Sequence, residues 1–396
     1  MHGKDSSIKY FAKANWRNEN QPFGIRSDDM QYHMAVIGKT GTGKSNLLLN
    51  LMRSDVKAKR GFCLIDPHGD LIETLYATIP NSQKKEVVYV NLLDPTLSIG
   101  YNPLKKVSVE KQSLVVSSIL ETFENLNDAR SWGAKLSHIL RNCLFALLDQ
   151  PQQTNFSDIL RILRDKEYRK ECIGHIKNKE VKVFFEHEFK QYSPKFDFVP
   201  IYNKIGGFLS HNAIKRLLVD NQDSLSLRKI MDGDKILLIN VSKGAIGGDT
   251  ARLIGSLFLS SFTSAGLSRV DTKQEKRKPF VLYIDEAHVY ANNSSVYSML
   301  EELRKMNVHV CLAFQHLTQL NERLKDSLFA NIGSIICFRT SAKDAQYLTQ
   351  EMHQHLHPFI LEDFVSLPQY QIILKMMISG KPSKSFTGTT IYHEKT

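Results

Sequence analysis

Short, continuous apolar runs alternate with helix-like segments along much of the chain. Runs of this kind, each followed by a helical pattern, are typical of buried strands in a parallel sheet. They predict strands at Met34–Ile37, Gly61–Ile65, Val87–Asn91, Lys235–Asn240, Phe280–Ile284, Val308–Phe314, Ser334–Arg339 and Gln371–Ile378. An extended tail is expected after Gly380. The polar residues 1–30 predict a short irregular arm, in which Trp16 suggests a docking contact.

The pattern changes between residues 107 and 230, where apolar residues recur at helical spacing and strand signals are scarce. Leu136, Ile139 and Leu140 illustrate this spacing. We therefore expect an all-α domain over residues 107–230, inserted into one motor domain made of residues 31–106 and 231–396. The predicted fold class is α/β with a mainly parallel sheet.

A glycine-rich loop follows the first of these strands. The segment from Gly38 to Ser45 fits the phosphate-binding pattern G-x-x-x-x-G-K-[ST] in full, between a predicted strand and a predicted helix. Such a loop turns its backbone N–H groups toward phosphates, while the lysine reaches the β and γ phosphates and the serine binds Mg²⁺. A chance glycine-rich turn is the alternative. The predicted nucleotide contacts are Gly38, Thr40, Gly41, Thr42, Gly43, Lys44, Ser45 and Asn46.

Two adjacent carboxylates end the strand Phe280–Ile284. Beside a phosphate-binding loop, Asp285 is expected to hold Mg²⁺ and Glu286 to polarise the attacking water of ATP hydrolysis. The alternative is an acidic N-cap for the next helix. His288 either contacts the site or lies on a helix surface, and the helix surface is the favoured interpretation.

Further polar residues follow or precede the next strands. Gln315 follows Val308–Phe314, so it either senses the γ-phosphate or caps the following helix. Arg304 and Arg339 are both candidates for an arginine that stabilises the transferred phosphate from a neighbouring subunit, and a surface ion pair is the alternative for each. The pattern alone does not separate these two arginines.

The bulk composition favours a polyanionic partner. The 396 residues include 52 Lys and Arg against 41 Asp and Glu, which gives a net charge of +11. Neutralising phosphates with such a surface releases counterions, so DNA is a candidate partner, although solubility also explains the charge. The five cysteines show no zinc-site spacing, which indicates a reducing, cytoplasmic compartment. No apolar stretch is long enough to span a membrane.

Taken together, these motifs resemble the type IV coupling-protein ATPases of conjugation and secretion, within the HerA–FtsK superfamily. The resemblance extends from about Phe23 to the C-terminus. It rests on the phosphate-binding loop and on the segments Gly24–Asp28, Ile65–Leu71, Tyr101–Leu104, Ile284–His288, Leu303–Lys305, Ala313–Leu320 and Phe338–Arg339, with Asp344 and Ala345.

The resemblance implies a RecA-like motor domain with an all-α insertion, assembled as a hexamer with ATP sites between subunits and DNA in the central channel. It also implies that Arg304, rather than Arg339, is the arginine finger and that Gln315 is the phosphate sensor. Asp66 and His68 would lie near the nucleotide, although they fit a strand-end turn equally well.

One departure from the family keeps other functions open. Coupling proteins usually carry N-terminal transmembrane helices, and this sequence has none. Three explanations compete: the sequence is a soluble portion, it docks on a separate membrane-anchor or secretion-channel partner, or it is a motor with another task. The alternatives are a HerA-like motor for double-stranded DNA processing, defence or packaging, and an ATP-switched adaptor for protein substrates. A neighbouring relaxase gene would favour conjugation, and a nuclease gene would favour processing or defence.

Overall fold

The computed structural model describes residues 8–15, 20–126, 132–221, 225–291, 294–354 and 358–392. Trp16 lies outside these residues. The chain divides into two compact units. The first comprises Met1–Tyr89, Arg228–Asn240 and Ala265–Thr396, and the second comprises Val90–Leu227 and Val241–Ser264. The second unit thus starts before the predicted insertion, residues 107–230, and includes a further segment beyond it.

A large mixed sheet underlies the first unit. The strands of the chain are β1 (Ile8–Ala14), β2 (Pro22–Arg26), β3 (Met34–Ile37), β4 (Phe62–Asp66), β5 (Val87–Asn91), β6 (Ile236–Asn240), β7 (Phe280–Ile284), β8 (Val308–Phe314), β9 (Ser334–Cys337), β10 (Gln371–Lys375), β11 (Met377–Ile378), β12 (Lys381–Pro382) and β13 (Phe386–Thr390). The order across the sheet is β2-β1-β13-β10-β9-β3-β8-β7-β4-β6-β5, while β11 and β12 form a separate hairpin.

The centre of this sheet is parallel. Strand β3 lies between β8 and β9 and is parallel to both, with Ile37 opposite Phe314 and Cys337. All residues of β3 and β8 are buried, as expected for strands covered on both faces. Because these strands run in one direction, the loops that follow them meet at a single edge of the sheet. The predicted mainly parallel α/β fold is confirmed.

Within the described residues, the irregular arm predicted for residues 1–30 is wrong at Ile8–Ala14 and Pro22–Arg26, because β1 and β2 pair with each other and β1 also pairs with β13. The lysines of β1 give the segment a polar appearance, yet Lys9 is only 1% exposed. Its ammonium lies 2.7 Å from a carboxylate oxygen of Asp55, which also accepts a hydrogen bond from Tyr283. A buried charge that is paired and hydrogen-bonded is tolerated in a strand that otherwise buries Phe11.

The C-terminal strands also differ from the prediction. The single strand expected over Gln371–Ile378 ends at Lys375, and a further strand, β13, closes the chain after the β11–β12 hairpin. Strand β10 is antiparallel to both β9 and β13. It therefore begins at the edge of the sheet where the parallel strand β9 ends.

Helices cover the sheet and make up most of the second unit. In chain order they are α1 (Lys44–Lys57), α2 (Asp70–Thr78), α3 (Val109–Leu126), α4 (Ala134–Leu148), α5 (Phe156–Arg164), α6 (Lys166–His175), α7 (Lys179–Val183), α8 (Val199–Ile201), α9 (Gly207–Leu209), α10 (Asn212–Lys215), α11 (Leu227–Asp232), α12 (Lys243–Ile246), α13 (Gly248–Leu267), α14 (Ser294–Glu302), α15 (Glu322–Asn331), α16 (Ala342–Glu351) and α17 (Leu361–Ser366). Across the described ranges, none of the helices has both the length and the apolar character needed to cross a membrane.

The second unit has a core of its own. Helix α5 begins with a capping box, in which Asn155 accepts a hydrogen bond from the start of the helix and Asp158 accepts one from the Asn155 N–H. The ring of Phe123 stacks on Trp132 and on Phe156, at centroid separations of 6.0 and 6.1 Å. The regular elements described between residues 107 and 230 are helical, as the periodicity predicts.

Candidate functional site

The loop between β3 and α1 has a backbone shape that requires glycine. Gly41 and Gly43 have φ angles of +75° and +123°, which L-residues rarely adopt. A Cβ atom on Gly38 would lie 2.6 Å from the Cβ of Phe338, and one on Gly43 would lie 2.9 Å from the Phe338 ring. The loop backbone therefore packs directly against Phe338.

The neighbouring strands hold the base of this loop. The Gly38 N–H donates to the carbonyl of Phe314 at the end of β8, at 3.1 Å. The Lys39 N–H donates to the carbonyl of Arg339, just after β9, at 2.9 Å. These bonds continue the strand pairing into the loop, so its position is set by the sheet.

Lys44, the first residue of α1, directs its side chain back into the loop. Its ammonium donates to the carbonyls of Gly38, at 2.7 Å, and Lys39, at 3.2 Å. Lys44 is only 6% exposed. Burial lowers the pKa of Lys44, while the nearby carboxylates of Glu286 and Asp285 oppose this shift. A cation in such surroundings suits an anionic ligand with several oxygens.

The two carboxylates after β7 lie at the same edge of the sheet. Asp285 and Glu286 are each 6% exposed. The Asp285 N–H donates to the carbonyl of Ile65, and the Glu286 N–H donates to the Asp285 carboxylate at 3.0 Å. Glu286 has a φ of +48°, an uncommon conformation for a residue other than glycine, and such strain often accompanies functional sites.

The electrostatic surroundings of Asp285 favour added positive charge. Burial, together with the negative charges of Asp66 and Glu286, raises the pKa of Asp285 to about 7 against the opposing effect of Lys44. Among the described residues, no group of three or more His, Cys, Asp or Glu side chains gathers to hold a metal ion by itself. A divalent cation here would need ligands from a bound phosphate as well as from protein.

Gln315 and His288 approach Glu286 from two sides. The Gln315 side-chain amide, just after β8, donates to Oε1 of Glu286 at 2.5 Å. Nδ1 of His288 lies 3.2 Å from Oε2 of the same carboxylate. The sequence places Gln315 at the correct edge, and the structure adds its contact with Glu286. For His288 the structure favours the alternative of a contact with the site over a position on a helix surface.

Asp66 is a helix cap. Its carboxylate is fully buried and accepts hydrogen bonds from the backbone N–H groups of His68, Leu71 and Ile72, at 2.8, 3.0 and 3.2 Å. The bonds to Leu71 and Ile72 satisfy N–H groups in the first turn of α2, which have no partner within the helix. Of the two alternatives that the sequence left open for Asp66, these contacts favour the strand-end turn. The His68 side chain is exposed.

The two candidate arginines lie at opposite ends of the parallel strands. Arg339 is exposed and follows β9, beside the loop, where its carbonyl accepts the bond from Lys39. Arg304 precedes β8 in the short helical segment Leu303–Met306, and its guanidinium lies 4.0 Å from the centroid of the Tyr32 ring. The seven residues of β8 span about 23 Å at 3.3 Å per residue, so Arg304 does not reach the loop of its own chain.

Two residues that contact the loop were not predicted from the sequence. The Gln369 side-chain amide donates to the Gly41 carbonyl at 2.8 Å, and the Tyr370 N–H donates to the Thr42 carbonyl at 2.9 Å. They precede β10, which is antiparallel to its neighbour β9. Pro368 before them signals a turn, but the apolar pattern does not reveal the direction of the strand.

Solved structures share this fold over nearly the whole chain. The plasmid coupling protein TrwB, in complex with the non-hydrolysable ATP analogue ADPNP, is 16% identical with a TM-score of 0.68, covering 97% of this chain and 89% of that one. TrwB with ADP and Mg²⁺ is 15% identical with a TM-score of 0.63, covering 91% and 85%. VirB4 of Thermoanaerobacter pseudethanolicus is 13% identical with a TM-score of 0.65, covering 99% and 98%. These likenesses establish a RecA-like P-loop NTPase fold.

The family assignment rests on sequence as well as on fold. No curated protein sequence matches the chain. The model of the family described as the central domain of the helicase HerA matches residues 15–242, which is more than half of the 396 residues. The matched range includes the phosphate-binding loop and Asp66. The chain therefore belongs to the HerA helicase central-domain family, within the HerA–FtsK superfamily that its motifs indicate.

Proposed function

We propose that this chain hydrolyses Mg-ATP and uses the energy to move DNA. The observation that carries the proposal is the convergence of Lys44, Asp285, Glu286 and Gln315 around one glycine loop, at the edge of the sheet where parallel strands end. The fold neighbour TrwB is known with the ATP analogue ADPNP, with ADP and Mg²⁺, and with the GTP analogue GDPNP, so its complexes support a purine nucleotide with Mg²⁺, of which ATP is the one proposed.

The residues around the loop fit a magnesium–triphosphate complex. Ser45, in the first turn of α1, is exposed and can offer its hydroxyl. Asp285 offers a carboxylate whose pKa is raised first by burial and then by the negative charges of Asp66 and Glu286, both of which a bound cation would offset. Bound Mg²⁺ would neutralise charge on the β and γ phosphates. Lys44 would exchange its bonds to the loop carbonyls for bonds to phosphate oxygens.

Glu286 is the proposed general base. In hydrolysis, a water oxygen forms a bond to the γ-phosphorus, the bond from phosphorus to the β–γ bridging oxygen breaks, and the water proton passes to the Glu286 carboxylate. The Gln315 amide already donates to that carboxylate. Because an amide can donate either to Glu286 or to a γ-phosphate oxygen, Gln315 can link the position of the base to the state of the nucleotide.

The proposed assembly is a ring with sites between subunits, which the resemblance to coupling proteins suggests. Arg304 lies at the end of the strands opposite to its own loop, exposed and held over Tyr32. That position suits an arginine that serves the site of a neighbouring subunit. Arg339, beside the loop of its own chain, suits a role within the subunit instead.

DNA is the proposed substrate because of the net charge of +11 and the family. A motor that grips phosphates moves DNA largely without sequence preference. A coupling-type pump, tethered by a membrane-anchor or secretion-channel partner and supplied by a relaxase, is one form of this proposal. A motor for duplex DNA that works with a nuclease is the alternative, and the match to the HerA helicase family favours it.

The test is ATP hydrolysis by the purified chain without DNA, with single-stranded DNA and with duplex DNA. The Lys44→Ala variant is the blank, since it removes the phosphate-binding cation. Stimulation by one form of DNA, absent from the variant, would support the motor and identify its substrate. Equal hydrolysis in all three conditions would contradict a DNA motor and favour the adaptor for protein substrates.

A further inference from the structure

Two tyrosine rings lie next to the phosphate-binding loop and play no part in the chemistry described above. The rings of Tyr370 and Tyr392 have centroids 5.1 Å apart and an interplanar angle of 50°. Tyr392 is 54% exposed, and Tyr370 is partly buried beneath it. An exposed tyrosine ring that packs on a second ring beside a ligand loop offers a large apolar face to a ligand.

Tyr370 is fixed on the loop itself. Its N–H donates to the Thr42 carbonyl at 2.9 Å, and the preceding Gln369 binds the Gly41 carbonyl. A Cβ atom on Gly43 would lie only 2.9 Å from the Tyr370 ring. Tyr370 has a φ of +66°, a strained conformation that these contacts maintain. The ring therefore lies directly against the loop backbone.

Tyr392 is fixed by the helix that follows the loop. The carbonyl of the preceding residue, Ile391, accepts hydrogen bonds from the side-chain amides of Asn46, at 2.8 Å, and Asn50, at 2.7 Å. Both amides belong to the first two turns of α1. Asn46, which the sequence predicts as a nucleotide contact, thus positions the segment that carries Tyr392.

We infer that Tyr392, supported by Tyr370, is a stacking platform for the nucleotide base. This inference rests on the proposed function, since it needs phosphates in the loop. The phosphates would lie at the N-terminus of α1, so the ribose and base must leave the loop within the length of one nucleotide. The two rings border the loop and the first turns of the helix, where an exposed aromatic face can receive a planar base.

Stacking of this kind has a definite consequence for specificity. Every base has a π-face, so an aromatic platform strengthens binding without reading the hydrogen-bonding edge of the base. The platform is therefore expected to contribute to the binding of ATP and GTP alike. It should contribute nothing to a ligand that has phosphates but no base.

The experiment compares the binding of Mg-ATP, Mg-GTP and magnesium tripolyphosphate to the full chain by isothermal titration calorimetry. Tyr392→Ala should weaken both nucleotides by about 5- to 150-fold and leave tripolyphosphate unchanged. Tyr392→Phe, which keeps the ring, should bind all three like the wild type. Because Tyr392 is exposed near the C-terminus, neither substitution removes a core side chain.

Other outcomes would overturn the platform. An equal loss of nucleotide and tripolyphosphate binding in Tyr392→Ala would show that the residue only holds the tail on α1. Unchanged ATP binding would show that the ring has no ligand role, and a Lys44→Ala variant that loses ATP binding would then leave the proposed function intact. If the wild type bound no nucleotide at all, both the function and the platform would be rejected.

Discussion

At the carboxyl end of the parallel strands, Lys44, Asp285 and Glu286 are each 6% exposed and surround one loop. At the amino end of the same strands, Arg304 is exposed and rests on the ring of Tyr32. The first group gathers side chains of both charges around one loop, whereas the second presents a cation outward. The difference teaches that the polar groups at the carboxyl end contact one another within a single chain, while the proposed role of Arg304 requires a second molecule.

The largest expected effect is on ATP hydrolysis and comes from removing the exposed Arg304 side chain. Arg304→Ala should lower ATP hydrolysis by about 10³- to 10⁵-fold in the assembled protein, because an arginine supplied between subunits stabilises the charge on the transferred phosphate. ATP binding, measured by calorimetry, should stay close to that of the wild type. The measurement is steady-state hydrolysis under conditions in which the oligomer is verified.

Mixing variants tests whether this arginine acts between chains. Subunits with Arg304→Ala retain a complete loop, and subunits with Lys44→Ala retain the arginine, so a mixed ring contains some complete interfaces. Hydrolysis should therefore recover on mixing. The matched control combines Glu286→Gln with Lys44→Ala, since both lesions lie in the same site. Recovery in the control, or none in the first mixture, would contradict an arginine acting in trans.

The next largest effect is on the rate of hydrolysis and comes from changing Glu286, beside the phosphate-binding loop. Glu286→Gln should reduce the rate of hydrolysis by about 10²- to 10⁴-fold, because the amide cannot take the proton from the attacking water. ATP binding should persist, since the loop and Lys44 are untouched. Single-turnover hydrolysis and calorimetric binding together measure this separation. Loss of binding and rate in parallel would instead indicate a structural defect in the site.

A smaller expected effect is the loss of stability at low pH caused by His33, at the amino end of the parallel strands. His33 is fully buried beside β8, its Nδ1 accepts a hydrogen bond from the Val310 N–H, and burial lowers its pKa from 6.5 to about 4. The unfolded chain therefore binds the proton first as the pH falls. Stability is fully present above pH 6.5 and should fall by about 3 kcal/mol as the pH approaches 4.

Denaturant unfolding at several pH values checks this expectation. In His33→Asn the side-chain oxygen can accept the same backbone hydrogen bond but does not titrate, so its stability should vary less between pH 6.5 and 4. Parallel curves for the wild type and the variant would show that His33 does not set the acid sensitivity. The pH dependence of the free energy of unfolding would then come from groups other than His33.

The sequence alone predicted the loop, its flanking strand and helix, and the carboxylates after β7, because each is a local pattern with one structural meaning. It failed at Lys9, whose burial depends on Asp55, a partner that no local pattern reveals. For the strands after β9, the sequence predicted a strand over Gln371–Ile378 but not its antiparallel direction, because hydrophobic runs do not encode strand direction. Tyr370 came close to the loop only through that antiparallel strand.

The roles of polar residues were harder to predict than their locations. Asp66 ends β4 at the same edge as Asp285, and the sequence could not separate a ligand from a strand-end turn. Its three backbone hydrogen bonds favour the turn, and the sequence could not reveal them because they depend on how α2 begins. The proposed catalytic roles of Lys44, Glu286 and Arg304 remain predictions that the experiments above test.

The pairing of β1 with β13 has a consequence for how the protein folds. The paired residues Ala12 and Thr390 lie 378 positions apart in the sequence. The carbonyl of Ile391, just beyond Thr390, is held by side chains on the helix after the phosphate-binding loop. Contacts this distant in sequence form only when both segments are present. The surroundings of this loop are therefore completed by a long-range step of folding and not by local structure.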